Sequence, residues 1–171
     1  VNTRVNRAIA AAAAAVGAKV HLSDRPGYLP AAYDANLCKL ALSVFTEVVG
    51  AEKAVYNCSK TDWETGCTDM ADIAAVMPAL HGYGSGSVGV GHSPEYAVVD
   101  FDSAFDDSLT AQFLLVQALL RDDAVEAKHI IRDAVVRFPT RADYFAYLDA
   151  LFYERDAVLY EKNSDRVILD L

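Results

Sequence analysis

The sequence predicts an α/β protein, and three observations carry that reading. Helical and strand-like patterns alternate along the chain. Apolar residues make up 53% of its 171 positions, enough for a packed core and too many for a disordered segment. Glycines and prolines fall between the periodic segments, where turns belong.

Residues 2–16 are Ala-rich, and alanine is the best helix former, so they read as a helix that Gly17 stops. Ala18 to Leu22 alternates apolar and polar and reads as a strand. Pro26-Gly27-Tyr28-Leu29-Pro30 is a turn and a hinge. A second helix runs from about Ala35 to Val49. Its Leu37, Leu40, Ala41, Val44, Phe45 and Val48 share one face, and Gly50 ends it. Ala54 to Asn57 is a short strand candidate. Lys60 to Met70, with Trp63, is polar and loop-like. Asp72 to Met77 fits either a helical turn or an extended segment, and Ala79 to Tyr83 reads as a strand. Five glycines fall within Gly82 to Gly91, and Tyr96 to Phe101 is β-rich. Asp106, Asp107 or Ser108 caps a helix that runs to about Leu120. Being apolar almost all round, that helix is expected to be central and buried. Another helix follows Asp122 and ends before Pro139. A capping box at Thr140 to Asp143 opens a last helix, with Tyr144, Tyr147, Leu148 and Leu151 as its buried face. The charged tail from Glu154 ends in Val167-Ile168-Leu169, a final strand or a docking segment.

Length suits one domain, although residues 1–28 also read as the end of a different domain that crosses over at the Pro26–Pro30 turn. Fifteen Lys and Arg against 24 Asp and Glu give a formal charge of −9, and no basic run exceeds two residues. Nucleic acid is a poor partner, because phosphate binding needs clustered cations. The longest apolar stretch, about Ala8 to Val16, is too short to cross a bilayer and does not resemble a signal peptide. Three cysteines without close spacing, Cys38, Cys58 and Cys67, argue against a disulfide framework and for a reducing, cytoplasmic setting. Asn57-Cys58-Ser59 matches a glycosylation acceptor only formally. The chain opens at Val1 inside a helical pattern. This predicts that the polypeptide begins upstream, or that a processing or engineered boundary lies there.

Several residues have chemistry to offer. His92 stands in Gly89-Val90-Gly91-His92-Ser93-Pro94-Glu95. Glycines let the backbone approach a ligand closely, and a neutral imidazole binds metal; an ordinary hydrogen-bonding loop histidine fits the spacing as well. In Gly66-Cys67-Thr68-Asp69-Met70-Ala71-Asp72, two carboxylates three apart share a face on a helical turn. They could orient a metal-bound histidine, or Thr68 and Asp69 could simply cap a helix. Cys67, without a Cys-x-x-Cys partner, reads more readily as a small apolar residue than as a ligand or nucleophile. His81 reads equally as a pocket residue and as a satisfied strand histidine. His21 and His129 read as structural or solvent-facing. The glycine loop lacks the Gly-Lys-Ser/Thr of a phosphate-binding loop. No Ser-His-Asp order and no nucleophile elbow occurs.

Taken in order, VNRAIAAAAAAVGAKV, the PGYLP turn, GCTDMADIAAVMPALHGY and GVGHSPEY resemble one family. It is the aminoacylase, carboxypeptidase and aminobenzoyl-glutamate hydrolase family of metallo-amidohydrolases, and the likeness reaches to about residue 150. The resemblance implies a three-layer αβα zinc-peptidase-like catalytic domain that binds two divalent metal ions, zinc or manganese, with an α+β lid domain inserted into it. Residues 1–28 resemble the last helix and strand of the lid, and 29–150 the returning part of the catalytic domain, whose segment is taken to run over 29–171. His92 matches the family's last metal ligand, and Asp69, with Asp72 beside it, matches the supporting acidic motif. In such an enzyme His81 would be a possible pocket residue. Cys67 and Ala71 replace the more usual Ser and Gly.

The family's other ligands and its general-base Glu belong to an N-terminal portion absent from this sequence. The implied activity is hydrolysis of the amide of an N-acyl amino acid, an aminobenzoyl-glutamate-like compound or a dipeptide. The chain alone is expected to be inactive until that portion, or a partner chain, supplies the rest. Homo-oligomers are the other expected partnership. The alternative is a non-catalytic association or regulatory module on the same fold.

Overall fold

The computed structural model describes residues 2–56 and 66–171. Asn57, Cys58, Trp63 and most of the Lys60 to Met70 segment lie outside them. The chain divides into two compact units, one formed by Val1–Gly27 with Arg141–Leu171 and the other by Tyr28–Thr140. Arg141–Leu171 thus packs with the N-terminal segment. The change of unit after Gly27 falls within the Pro26–Pro30 turn.

In the first unit, helix α1 (Asn2–Ala15) is followed by strand β1 (His21–Asp24). From the far end of the chain come α5 (Arg141–Leu151), β4 (Tyr153–Asp156), β5 (Val158–Tyr160) and β6 (Val167–Leu169). β1 pairs antiparallel with β4, so that His21 faces Asp156 and Asp24 faces Tyr153. β5 pairs antiparallel with β6, which makes the Val167–Leu169 ending a strand. Ala10, Leu22, Ala157 and Val158 form the core, with Ala13, Ala14 and Val20 against it. Alanine on α1 leaves no bulk between helix and strands. Val158, almost fully buried, contributes about 1.5–3 kcal/mol by leaving water. The expected buried face of α5 is only half-buried at Tyr144, Tyr147 and Leu148, and Leu151 is exposed.

The second unit holds α2 (Ala35–Val49), the short α3 (Met70–Ala74), strands β2 (Ser87–Val88) and β3 (Ala97–Val98), and α4 (Ser108–Asp133). The Asp34 carboxylate caps α2 by accepting from the amides of Asn36 and Leu37 at 3.0 and 2.8 Å. Gly50, in a left-handed conformation, ends it. Cys38, Ala41 and Val44 are the buried face of α2, and Leu29, Ala71, Ala74, Ala75, Ala79, Ala111, Ile130 and Phe138 are buried in the same unit. A π-helical turn, Asp102–Asp107, leads into α4. Within α4, Asp122, Asp123 and Ala124 have positive φ, so the helix is broken there into two limbs.

Three expectations are corrected here. Ala79 to Tyr83 forms no strand. The Ala79 carbonyl instead accepts the amide of Asp34 at 3.0 Å, tying the segment to the start of α2. Ala54 to Tyr56 forms no strand either, and Asn57 lies outside the described residues. The first limb of α4 is not buried all round: Ala111 alone is buried, while Leu109, Phe113, Val116 and Leu120 are exposed among the described residues. Among the described residues, strand pairing consists of three two-stranded antiparallel ladders. No helix is long and apolar enough to cross a membrane among the described residues.

Candidate functional site

The glycine-rich segment folds into a hairpin. Ser87 pairs with Val98 and Val88 with Ala97. Gly89, at φ +86°, turns the chain where a side chain has no room. A Cβ there would overlap the Glu95 carbonyl oxygen and stand 2.7 Å from its carbon. Within the loop, the Ser93 amide donates to the Val90 carbonyl and the Tyr96 amide to the Ser93 carbonyl, at 3.1 and 3.2 Å. These two turns force His92 into the left-handed region, at φ +65°. Few residues other than glycine adopt it, and histidine is among those that do so more often.

The imidazole of His92 is thus carried at the loop tip, exposed, with no hydrogen bond or ion pair to any described residue. At the next residue, the Ser93 hydroxyl is shielded from solvent and misses full hydrogen-bond geometry with any described partner. It is still close enough to Glu95 to hold that carboxyl below the usual carboxylate range. Neither Ser93 nor Glu95 stood out in the sequence as a site residue, although both flank Pro94 in the motif.

The other candidate residues lie apart from this tip in their bonding. Asp69 takes the position before α3 without capping it, and its carboxylate accepts the Thr68 hydroxyl at 3.0 Å. Asp72 lies in the first turn of α3 and accepts the backbone amide of Leu29 at 3.3 Å, so it pins the segment that follows the Pro26–Gly27 turn. Cys67 is exposed and Cys38 is buried.

His81 sits in an aromatic cluster. Its ring lies 4.5 Å from that of Tyr83 and meets Tyr33 edge-on at 6.3 Å. The Tyr83 hydroxyl is 3.4 Å from Nδ1 of His81. Burial, then the nearby Tyr83 and Cys38, pushes the Tyr33 phenol above its ordinary value. The Tyr83 contact had a signal in the sequence, since residues i and i+2 of an extended segment share a side. Tyr33 is brought in from the start of α2 and had none.

A cleft of about 240 Å³ opens nearby in sequence terms, lined by Tyr33, Asp34, Asn36, Met77, Asp133 and Val135 among others. Neither His81 nor His92 lines it or a second, more open groove of about 390 Å³ beside Lys39 and His129.

Among the described residues no three His, Cys, Asp or Glu side chains are grouped so as to hold a metal ion. Hydrolytic zinc needs about three protein ligands and a water. His92 offers one donor, so the described residues do not by themselves fit a hydrolytic metal centre. In comparisons with known proteins, no family model, no curated protein and no solved structure matches the chain.

Proposed function

We propose that this chain is the C-terminal part of a metal-dependent amidohydrolase, in which His92 is one metal ligand and the remaining ligands and the general base come from the N-terminal portion or a partner chain. The observation that carries the reading is the placement of His92. A histidine held in a left-handed backbone at an exposed hairpin tip, with its ring unpaired among the described residues, is presented for something outside those residues. The ordered likeness of four segments to the aminoacylase and carboxypeptidase family says what that would be. When bound, two divalent ions would supply an acidified water and a polarised amide carbonyl.

The chain's own residues hold and position. Gly89 and the two tight turns fix the His92 backbone. Asp72 anchors Leu29, and Asp69 is the acidic position of the supporting motif. His81, between Tyr33 and Tyr83, is a pocket residue in this reading. The substrate is a small amide, the complete catalytic domain is a three-layer αβα structure, and the compartment is cytoplasmic. The test is His92→Ala in the full-length gene product. Loss of metal together with a drop of at least a hundredfold in hydrolysis of N-acyl amino acids or dipeptides is expected. Full metal content and full activity in that variant would refute the assignment.

A second reading is favoured by one observation. Leu109, Phe113, Val116 and Leu120 form an exposed apolar stripe, each more than half accessible, of the kind that marks association surfaces. A non-catalytic association module on the same fold would use it, and homo-oligomers are its expected product. A native protein that stays monomeric in sizing and crosslinking would count against that reading.

A further inference from the structure

His21 lies on the solvent side of the β1–β4 ladder, and both of its ring nitrogens meet carboxylates. Nδ1 is 2.9 Å from Asp156 and Nε2 is 2.9 Å from Glu154. The register explains the bracket. Asp156 is the direct cross-strand partner of His21, and Glu154, two residues back on β4, points to the same side.

A neutral imidazole has one N–H donor and one lone pair. Placed between two carboxylates, it can satisfy only one, and its lone pair then faces the other at hydrogen-bond distance. Only the imidazolium, with two N–H donors, fits both. We propose that His21, Glu154 and Asp156 form a proton-dependent clasp, closed when the imidazole is doubly protonated and slackened when it loses one proton.

The surrounding charges leave the clasp to these three groups. The opposite side of the ladder carries Asp24, held by Asn2 and Asn6 of α1, and Arg155, which pairs with Asp170 at 3.3 Å and lies over the Tyr153 ring. The Tyr160 hydroxyl is engaged with the Ala18 carbonyl. Hydrogen bonds to Glu154 and then Asp156 raise the His21 pKa above its usual 6.5, and their charges add to the effect. The sign follows from linkage. The clasp contributes fully below about pH 6.5 and is lost as pH rises through the raised folded-state value. All three groups are solvent-exposed, so the contribution is further weakened by salt.

The strands joined by the clasp are more than 130 residues apart in sequence, so it closes the unit built from the two ends of the chain.

The experiment is an NMR titration of the four histidine Cε1 protons in the full 171-residue chain, with amide exchange of β1 and β4 followed from pH 5.5 to 9. The His21 midpoint is expected above the ordinary imidazole value of 6.5. It should fall toward the ordinary range in the Glu154→Gln/Asp156→Asn variant. Protection of the β1 and β4 amides, corrected for intrinsic exchange, should drop at least threefold across the His21 transition, and His21→Gln should abolish that dependence. Protection that does not change with pH in the unmodified chain would overturn the clasp, even if the double variant fails to fold. So would a His21 midpoint that the double variant leaves unmoved.

Discussion

Replacing Gly89 with alanine should damage the hairpin that carries His92, and the structure says by how much. Gly89 sits at φ +86°, where an L side chain costs about 1–2 kcal/mol in backbone strain. The new Cβ would also overlap the Glu95 carbonyl, which is backbone of the same loop and cannot rotate away as a side chain would. Forced overpacking of this kind adds about 1–3 kcal/mol. The expected loss is therefore about 2–5 kcal/mol, reduced to the extent that the loop opens locally. Gly91 is the control. A Cβ there meets nothing within 4 Å and its φ is not left-handed. Gly91→Ala should be neutral, or stabilising by about 0.4–1 kcal/mol through the unfolded chain. The assay is urea unfolding of both variants, with loop amide exchange as a local probe, because two units need not unfold together. If Gly89→Ala and Gly91→Ala were indistinguishable in midpoint and in loop exchange, the strained-turn account of the His92 placement would be refuted.

Other expectations follow from the same contacts. Val158→Ala, in the core of the unit formed by the chain ends, should cost roughly 1–3 kcal/mol by cavity formation; a change below about 0.5 kcal/mol in its unfolding midpoint would contradict that core. Asp34→Ala removes the cap of α2 and should cost about 0.5–2 kcal/mol, read as the same unfolding shift. Asp100 is held below the usual carboxylate range, first by the Ser103 amide and then by its hydroxyl. Its contribution to the π-helical turn is present above the unfolded carboxylate value, near pH 4, and is lost as pH falls through the lowered one. Carboxyl-carbon titration should place its midpoint below the ordinary aspartate value, and Ser103→Ala should raise it.

How much of this could be read in the sequence varied with the range of the forces involved. α2 runs over Ala35–Val49 as expected, because its signals, an apolar stripe and a terminal Gly50, are local; the Asp34 cap was shown only by the structure. α1 was equally legible from its alanines. The break in α4 was anticipated at Asp122, where two aspartates tolerate the left-handed region better than most residues. The burial of α4 was not. An apolar helix announces that something should cover it, and Leu109 to Leu120 say nothing of what does. Ala79 to Tyr83 alternates like a strand but finds no partner strand, and its Ala79 carbonyl is used by Asp34 instead. At the site, the loop that carries His92 was legible from its glycines. The aromatic neighbours of His81 and the carboxylates around His21 depend on contacts between distant segments, which single-chain periodicity does not encode.

The most direct test of the amidohydrolase reading is intact-mass analysis of the native protein purified from its source, with metal content measured on the same sample. A mass well above that of these 171 residues, with about two metals per polypeptide, is what the account predicts. A mass equal to this chain, with no bound metal and no partner chain, would contradict it.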